Sequence, residues 1–346
     1  RIKLISTEAG VGVNVPNSIY ADASDIIIDS NGDITYKNLT ANTGLSLRAD
    51  GKIKGLGSAR TNGNIELNSD QLELVFGSEL VSHNNITINS NDVVNTGSIT
   101  SAYDLNMMGF SLLNSGELLS DGFANLTFTD FTNTGTILTT GVLNANGANF
   151  NNSGDVLSHS DINFGFAQAL NSGQILSSND LVFSGFSLNN SGEILGNNNV
   201  AVGFNDVVNS GDILAVNALV LDGQNITNNI GGELLSYNDL NIGFDNVYNF
   251  GSIIAANILN IDTPLLLNSG DITAYVDASI DAGQLNNTSN ISSGENLNVN
   301  SDVVNNTGAL ISEHNITVNT DQITNAGSIA SNEQFVLNAT TFDNDG

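Results

Sequence analysis

The feature that most constrains this sequence is a spacing: a glycine returns every 19 residues. The series Gly97, Gly116, Gly135, Gly154, Gly173, Gly192, Gly211 keeps that step without a break. A longer turn follows, Asn228-Asn229-Ile230-Gly231-Gly232, with two extra residues. The step then resumes through Gly232, Gly251, Gly270, Ser289, Gly308, Gly327 and Gly346. Ser78 occupies the same anchor position one coil before Gly97, and further back the register loosens. Gly32 to Gly51 again spans 19, whereas the coils between 51 and 78 are a residue or two longer. A fixed period of this size marks a solenoid built from stacked units.

The positions within a coil set its structure. Two residues after each anchor stands an aliphatic, as in Ile99, Leu118, Ile137, Val156 and Ile175. Four after, the residue is small: Ser101, Ser120, Thr139, Ser158, Ser177, Gly196, Ala215. Eight and ten after are usually apolar, as in Ile162/Phe164, Leu181/Phe183, Val200/Val202 and Ile316/Val318. Fifteen after is apolar again, as in Leu188, Val207, Val247, Ile323 and Phe342. Alternation within short runs means strands with one buried face. The Gly, Asn, Asp and Ser between the runs supply turns. Three strands of three to five residues cannot enclose a core alone, so each coil must stack on the next. The expected fold is all-β: a right-handed parallel β-helix, a three-sided solenoid of 19-residue coils. With strands ~4.8 Å apart, about 17 coils would give a rod on the order of 80 Å. A left-handed helix would show a hexapeptide period, and a leucine-rich repeat helical spacing; the sequence has neither. The expected organisation is a transition segment at 1–25, irregular opening coils at 26–77 and regular repeats at 78–346.

One column is nearly invariant. Asparagine precedes the anchor by two residues in coil after coil: Asn95, Asn114, Asn133, Asn152, Asn171, Asn190, Asn209, Asn228 (ahead of the longer turn), Asn249, Asn268, Asn287, Asn306, Asn325 and Asn344. An amide carries donors and an acceptor, so stacked copies can bond along the axis and close the turn. A glycan- or metal-binding strip is the competing reading, but a site does not need every coil. The column is therefore expected to be an internal structural ladder. A second pattern has twice the period. Twelve residues after the anchor, Gly and Phe alternate: Gly109, Phe128, Gly147, Phe166, Gly185, Phe204, Gly223, Phe244. Rings at every coil would crowd, so each Phe is expected to pack over the Gly of its neighbours. If the rings splayed outward they would form an exposed apolar strip.

Charge narrows the function. All seven basic residues fall within the first sixty positions, at Arg1, Lys3, Lys37, Arg48, Lys52, Lys54 and Arg60, beside Glu8, Asp22, Asp25, Asp29, Asp33 and Asp50. The other thirty of the 36 acidic residues follow, with no Lys or Arg among them. Such a surface disfavours nucleic acid and anionic membrane as partners, and it keeps an edge-rich β-structure soluble. No apolar run is long enough to span a bilayer, so no membrane insertion by this segment is expected. Arg1 opens the chain with no leader pattern after it, so the chain reads as a piece of a longer protein, with sheet edges open at both cut ends.

No catalytic, metal or cofactor set emerges. A β-helix that cleaves acidic polysaccharide needs a general base, a cation for the polymer and loops that wall a cleft. Here cations are missing after Arg60 and the regular coils hold one short insertion. His83, His159 and His314 are scattered, and Asp121 and Asp130 read as turn residues. Glycines on a nonapeptide calcium-binding period are absent, and the outward position nine after the anchor (Asn106, Asn125, Asn144, Asn163, Val182, Ala201, Val220) is no threonine array for ice. Asn-x-Ser/Thr sequons at Asn38, Asn85, Asn125, Asn225, Asn290 and Asn315 fit chance in so Asn-rich a chain. The chain is not expected to be an enzyme.

The repeat Asn171-Ser172-Gly173-Gln174-Ile175-Leu176-Ser177, followed by Leu181 and Phe183, resembles the haemagglutinin repeat of the filamentous-haemagglutinin family. The stretch Glu8-Ala9-Gly10-Val11-Gly12-Val13 is similar to the segment where the secretion domain of such proteins meets the repeats. The likeness covers roughly residues 20–346. It implies export by two-partner secretion, with an outer-membrane transporter as partner, and residence in the secreted fraction or on the bacterial surface. It further implies a role as an adhesin or as the stalk of a contact-dependent growth-inhibition effector, with a receptor on a host cell or neighbouring bacterium. The absence of Cys suits a chain threaded unfolded through a pore. Regular coils without loops favour a spacer. A segment that itself binds cells or glycans is the alternative, and a polysaccharide-degrading enzyme the remote one.

Overall fold

A computed structural model describes residues 1–345, which form strands and no helix. The anchor glycine Gly346 lies outside the described residues. The strands build a parallel β-solenoid of about 17 turns at the 19-residue step. The chain divides into two units, Arg1–Ala167 with Gly173–Ser177, and Gln168–Ser172 with Ser178 onward.

The first unit shows how a coil is made. Leu105–Asn114 is a single ten-residue strand and Glu117–Ser120 a four-residue one. The regular coil thus holds two strands rather than the three expected. The third side is nevertheless present, because the long strand bends. Leu105 and Met107 are buried in its first half, Leu112 and Asn114 in its second, so the inward phase slips by one residue between them. Pairing with the next coil runs from Leu105↔Ala124 to Gly109↔Phe128, omits Phe110, and restarts at Ser111↔Asp130. An earlier coil shows the same geometry cut apart. There Gly44–Ala49, Lys52–Gly55 and Ser58–Thr61 are separate strands, and the single strand Asn64–Leu74 of the following coil pairs with the first two. Backbone bonding survives the corner in one coil and breaks in the other, while the three faces persist.

Register follows the repeat. Ile26 pairs with Leu45 and Ile86 with Leu105, each 19 residues on, whereas Leu45↔Ile65 and Ile65↔Ile86 take 20 and 21. In the second unit Asn209 pairs with Asn228 but Ile213 with Leu234, which puts the two extra residues after Asn228. They form a tight turn in which the Gly232 amide donates to the Asn229 carbonyl at 2.9 Å and Gly231 has φ +85°. That conformation calls for glycine at the third turn position. The first unit repeats the device at Val75–Ser78, with Gly77 at φ +78° and a 2.9 Å bond from Ser78 to Val75. Each turn lifts an apolar tip into solvent: Phe76 is 92% exposed and Ile230 87%.

Inward columns fill the core. The positions two, eight, ten and fifteen after the anchor are buried in the regular coils up to Ile323, whereas on the last described coil Phe335 and Phe342 are 45% and 55% exposed. The small residue four after the anchor lies where two carbonyls converge on the turn. Ser120 Oγ donates to Tyr103 O at 2.6 Å and Phe123 O at 3.0 Å, and Ser158 Oγ reaches Gly141 O and Asp161 O in the same manner.

The Phe of the alternating column point inward and are fully buried. Their packing differs from a simple ring-over-glycine stack. The Phe166 ring stacks on that of Phe150 at 4.8 Å and 19°, and Phe150 meets Phe131 and Phe164 edge-on at 5.3 and 5.2 Å. Space above a glycine is therefore shared with aromatics from the fifteenth and tenth positions. The glycines also meet a harder constraint than the rings. A Cβ on Gly147 would sit 1.8 Å from the Phe128 carbonyl oxygen, and only 3.2 Å from the Phe166 ring. Gly109 and Gly223 face preceding-coil carbonyls in the same way.

Ion pairs gather in the opening coils because stacking places a base one coil from an acid. Arg48 pairs in register with Asp29 and bonds to it at 2.8 Å; Lys54, in register with Glu73, reaches it at 2.7 Å, and Lys52 joins at 3.0 Å. Lys54 first and Lys52 second hold the Glu73 carboxyl below its ordinary range. The Thr43 hydroxyl, with Arg1, does the same for Asp25. Arg60 pairs with Glu79.

Among the described residues two buried side-chain oxygens lack a partner, Ser293 Oγ and the hydroxyl of Tyr36, and the larger group is Tyr36. Its side chain is 0% exposed, its hydroxyl has no hydrogen-bond partner, and burial pushes its ionisation well above the usual tyrosine range. Gly55 makes room for it: a Cβ there would come within 2.6 Å of the hydroxyl. An unpaired buried hydroxyl costs about 1–3 kcal/mol. Tyr36→Phe should therefore raise the thermal midpoint, and a lowered midpoint would show that the hydroxyl has a partner in solution.

Candidate functional site

The asparagine column is the most repeated polar feature, and its geometry is internal. In the second unit Asn190 Nδ2 donates to Asn209 Oδ1 at 2.9 Å and to the carbonyls of Gly192 and Asp212 at 3.1 Å. The chain of amides continues through Asn209, Asn228, Asn249, Asn268, Asn287, Asn306 and Asn325 to Asn344 at 2.7–2.9 Å. In the first unit Asn95, Asn114, Asn133 and Asn152 are linked at 2.8 Å. Each of these amides thus ties its coil to the next, and Asn190 Nδ2 does so twice, through the Asn209 amide and the Asp212 carbonyl, while its bond to the Gly192 carbonyl closes its own turn. From Asn95 to Asn306 the side chains are 0–1% exposed, so none can meet a ligand from solvent.

Outward columns form ladders as well, which the sequence reading passed over. Asn125 bonds to Asn106 at 2.8 Å, Asn144 to Asn125 at 2.9 Å and Asn163 to Asn144 at 3.1 Å. In the second unit Asn300, Asn319 and Asn338 stack on Asp281 at 2.8 Å each. The signal was the same residue type at a step of 19, visible wherever a column repeats.

The titratable residues singled out from sequence do not assemble. His83 Nδ1 lies 2.8 Å from Asn62 Oδ1, and His314 pairs with Glu295 at 2.6 Å, while His159 is exposed. The Asp121 backbone carbonyl accepts the Thr140 hydroxyl, and the Asp130 carboxylate accepts Asn149 at 2.6 Å. Among the described residues no three His, Cys, Asp or Glu gather as metal ligands would. A groove of about 700 Å³ runs along one corner of the second unit. Asp262, Asp281, Asp302 and Asp321 line it with amides and hydroxyls, and with no His, Lys or Arg.

Likeness to known proteins is local. A stretch of 69 residues is 44% identical to the tRNA nuclease CdiA of Yersinia mollaretii. It amounts to 20% of this chain and 2% of the relative, so the relative is thousands of residues long and this chain matches only a small part of it. No family model matches the chain. No solved structure matches it.

Proposed function

We propose that this chain is the repeat segment of a large bacterial exoprotein of the filamentous-haemagglutinin type. It acts as a spacer that holds a receptor-binding or toxic region away from the cell. The observation that carries this reading is the regularity of the coils from Ser78 onward: one buried amide per coil, and a single two-residue insertion, which follows Asn228. The local identity to a CdiA protein supports placing the segment in a very long chain. Export through an outer-membrane two-partner secretion transporter, surface or secreted residence, and a receptor on a host cell or neighbouring bacterium belong to the same proposal. So does the absence of enzymatic activity, for which the scattered histidines and the cation-free groove are the support.

Cell adhesion to the purified segment tests the reading. A spacer should show no saturable binding to target cells. Saturable binding would favour the alternative, in which the segment is itself an adhesive surface.

A further inference from the structure

The short strand carries a column that neither the core nor the spacer reading uses. Three residues after the anchor its side chains face outward, and in the second unit they are Leu195, Leu214, Leu235 and Ile254, stacked in register. They are half-buried by one another, and Val216 and Tyr237, 44% and 61% exposed, widen the strip on one side. On the other side runs an acidic rail, Glu193, Asp212 and Glu233, again in register. The second unit contains no Lys or Arg to neutralise it.

Stacked aliphatics support a sheet through neighbour packing, but the fold does not require them here. The same ladder continues from Ile254 to Thr273 and Ser292 with unbroken pairing. Outward aliphatics are therefore not needed for the pairing; the first unit fills the same position with Leu119, Leu138, Leu157 and Leu176, without the three-acid border seen here. An apolar strip with a charged border is the form of a protein-binding face.

We propose that this face docks a basic amphipathic helix, a partner segment whose apolar stripe is bordered by Lys or Arg. Charge complementarity selects that occupant. A second copy of the second unit would bring no cation to the rail, and an anionic bilayer would be repelled by it. Four coils at ~4.8 Å present a strip that about three helical turns cover. The proposal is independent of the spacer reading, since the partner is a polypeptide segment and not a cell surface.

The test uses the whole chain and a synthetic Leu/Lys amphipathic helix, with its Leu/Glu counterpart as control. The Leu/Lys peptide should bind and the Leu/Glu peptide should not. Leu214→Ser with Leu235→Ser should weaken binding about tenfold or more. Glu193→Gln with Asp212→Asn and Glu233→Gln, which preserves side-chain shape, should weaken it at low salt and flatten its salt dependence. Removing the same charge from the groove, by Asp262→Asn with Asp281→Asn and Asp302→Asn, should leave it unchanged. Equal losses from rail and groove would mean that the peptide senses only net charge, and would overturn the proposal. So would binding indifferent to the leucine substitutions, or concentration-dependent self-association that those substitutions abolish.

Discussion

Replacing Asn209 with Asp should open the coil that carries it, at a cost of about 3–5 kcal/mol, the range for uncompensating a buried charge. Asn209 Nδ2 donates to Asn228 Oδ1 at 2.9 Å, Gly211 O at 2.8 Å and Glu233 O at 3.3 Å, with the side chain 0% exposed. A carboxylate has no donor for any of these oxygens and would itself be buried among them. Protonation would restore one donor at the cost of a large shift in its titration. Asn144→Asp is the matched control. That amide also bonds along the axis, to Asn125 at 2.9 Å, but at the surface, where water can replace the partner, and its substitution should fall within about 0.5 kcal/mol. Solenoids sum local stabilities with nearest-neighbour terms rather than unfolding all at once. Hydrogen exchange of the flanking amides is accordingly the right measurement. Protection should fall around residues 190–233 for Asn209→Asp and hold for Asn144→Asp. Equal small effects would mean that the ladder contributes no more inside than outside.

The second large effect is expected at Phe166. Its ring is buried among Phe131, Phe150 and Phe164. Truncation to Ala leaves a void in a corner whose backbone is fixed by the carbonyl contacts at Gly147, so little collapse can fill it. A loss of about 3–5 kcal/mol follows for Phe166→Ala. Phe110→Ala removes a ring that is 56% exposed on the same corner and should cost under about 0.5 kcal/mol. Similar losses at both positions, read by denaturant midpoints of the same transition, would contradict the packing described here.

What the sequence disclosed and what it hid divide along a physical line. Features repeated at one step were legible: the inward aliphatics, the Asn column, and the insertion after Asn228 all follow from identical residues recurring in phase. The number of strands was not legible. Whether backbone pairing survives a corner depends on local dihedral angles, which is why Lys52–Gly55 stands alone in one coil while Asn64–Leu74 runs through in the next. The reason for the alternating glycines was only half legible, since the ring crowding could be inferred but the carbonyl approach at Gly147 could not. Tyr36 illustrates a different limit, because its missing partner is a property of neighbours brought together by coil stacking. The outward column through Asn106, Asn125, Asn144 and Asn163 was legible as a repeat and as no threonine array, but the step of 19 does not by itself say that the amides bond along the axis. Function was the least legible part, since the titratable residues singled out from the sequence, His83, His159 and His314, lie in separate coils.

Inter-label distances within the second unit test the coil geometry most directly. Ser191, Ser269 and Thr307 are exposed, share one position of the repeat, and lie in a chain without Cys. Spin labels at residues 191 and 269 are four coils apart and those at 191 and 307 six, which at ~4.8 Å per coil means about 19 Å and about 29 Å. Dipolar spectroscopy should return two narrow distributions separated by about 10 Å. Broad distributions, or a separation that does not grow with the number of intervening coils, would contradict the 19-residue parallel solenoid.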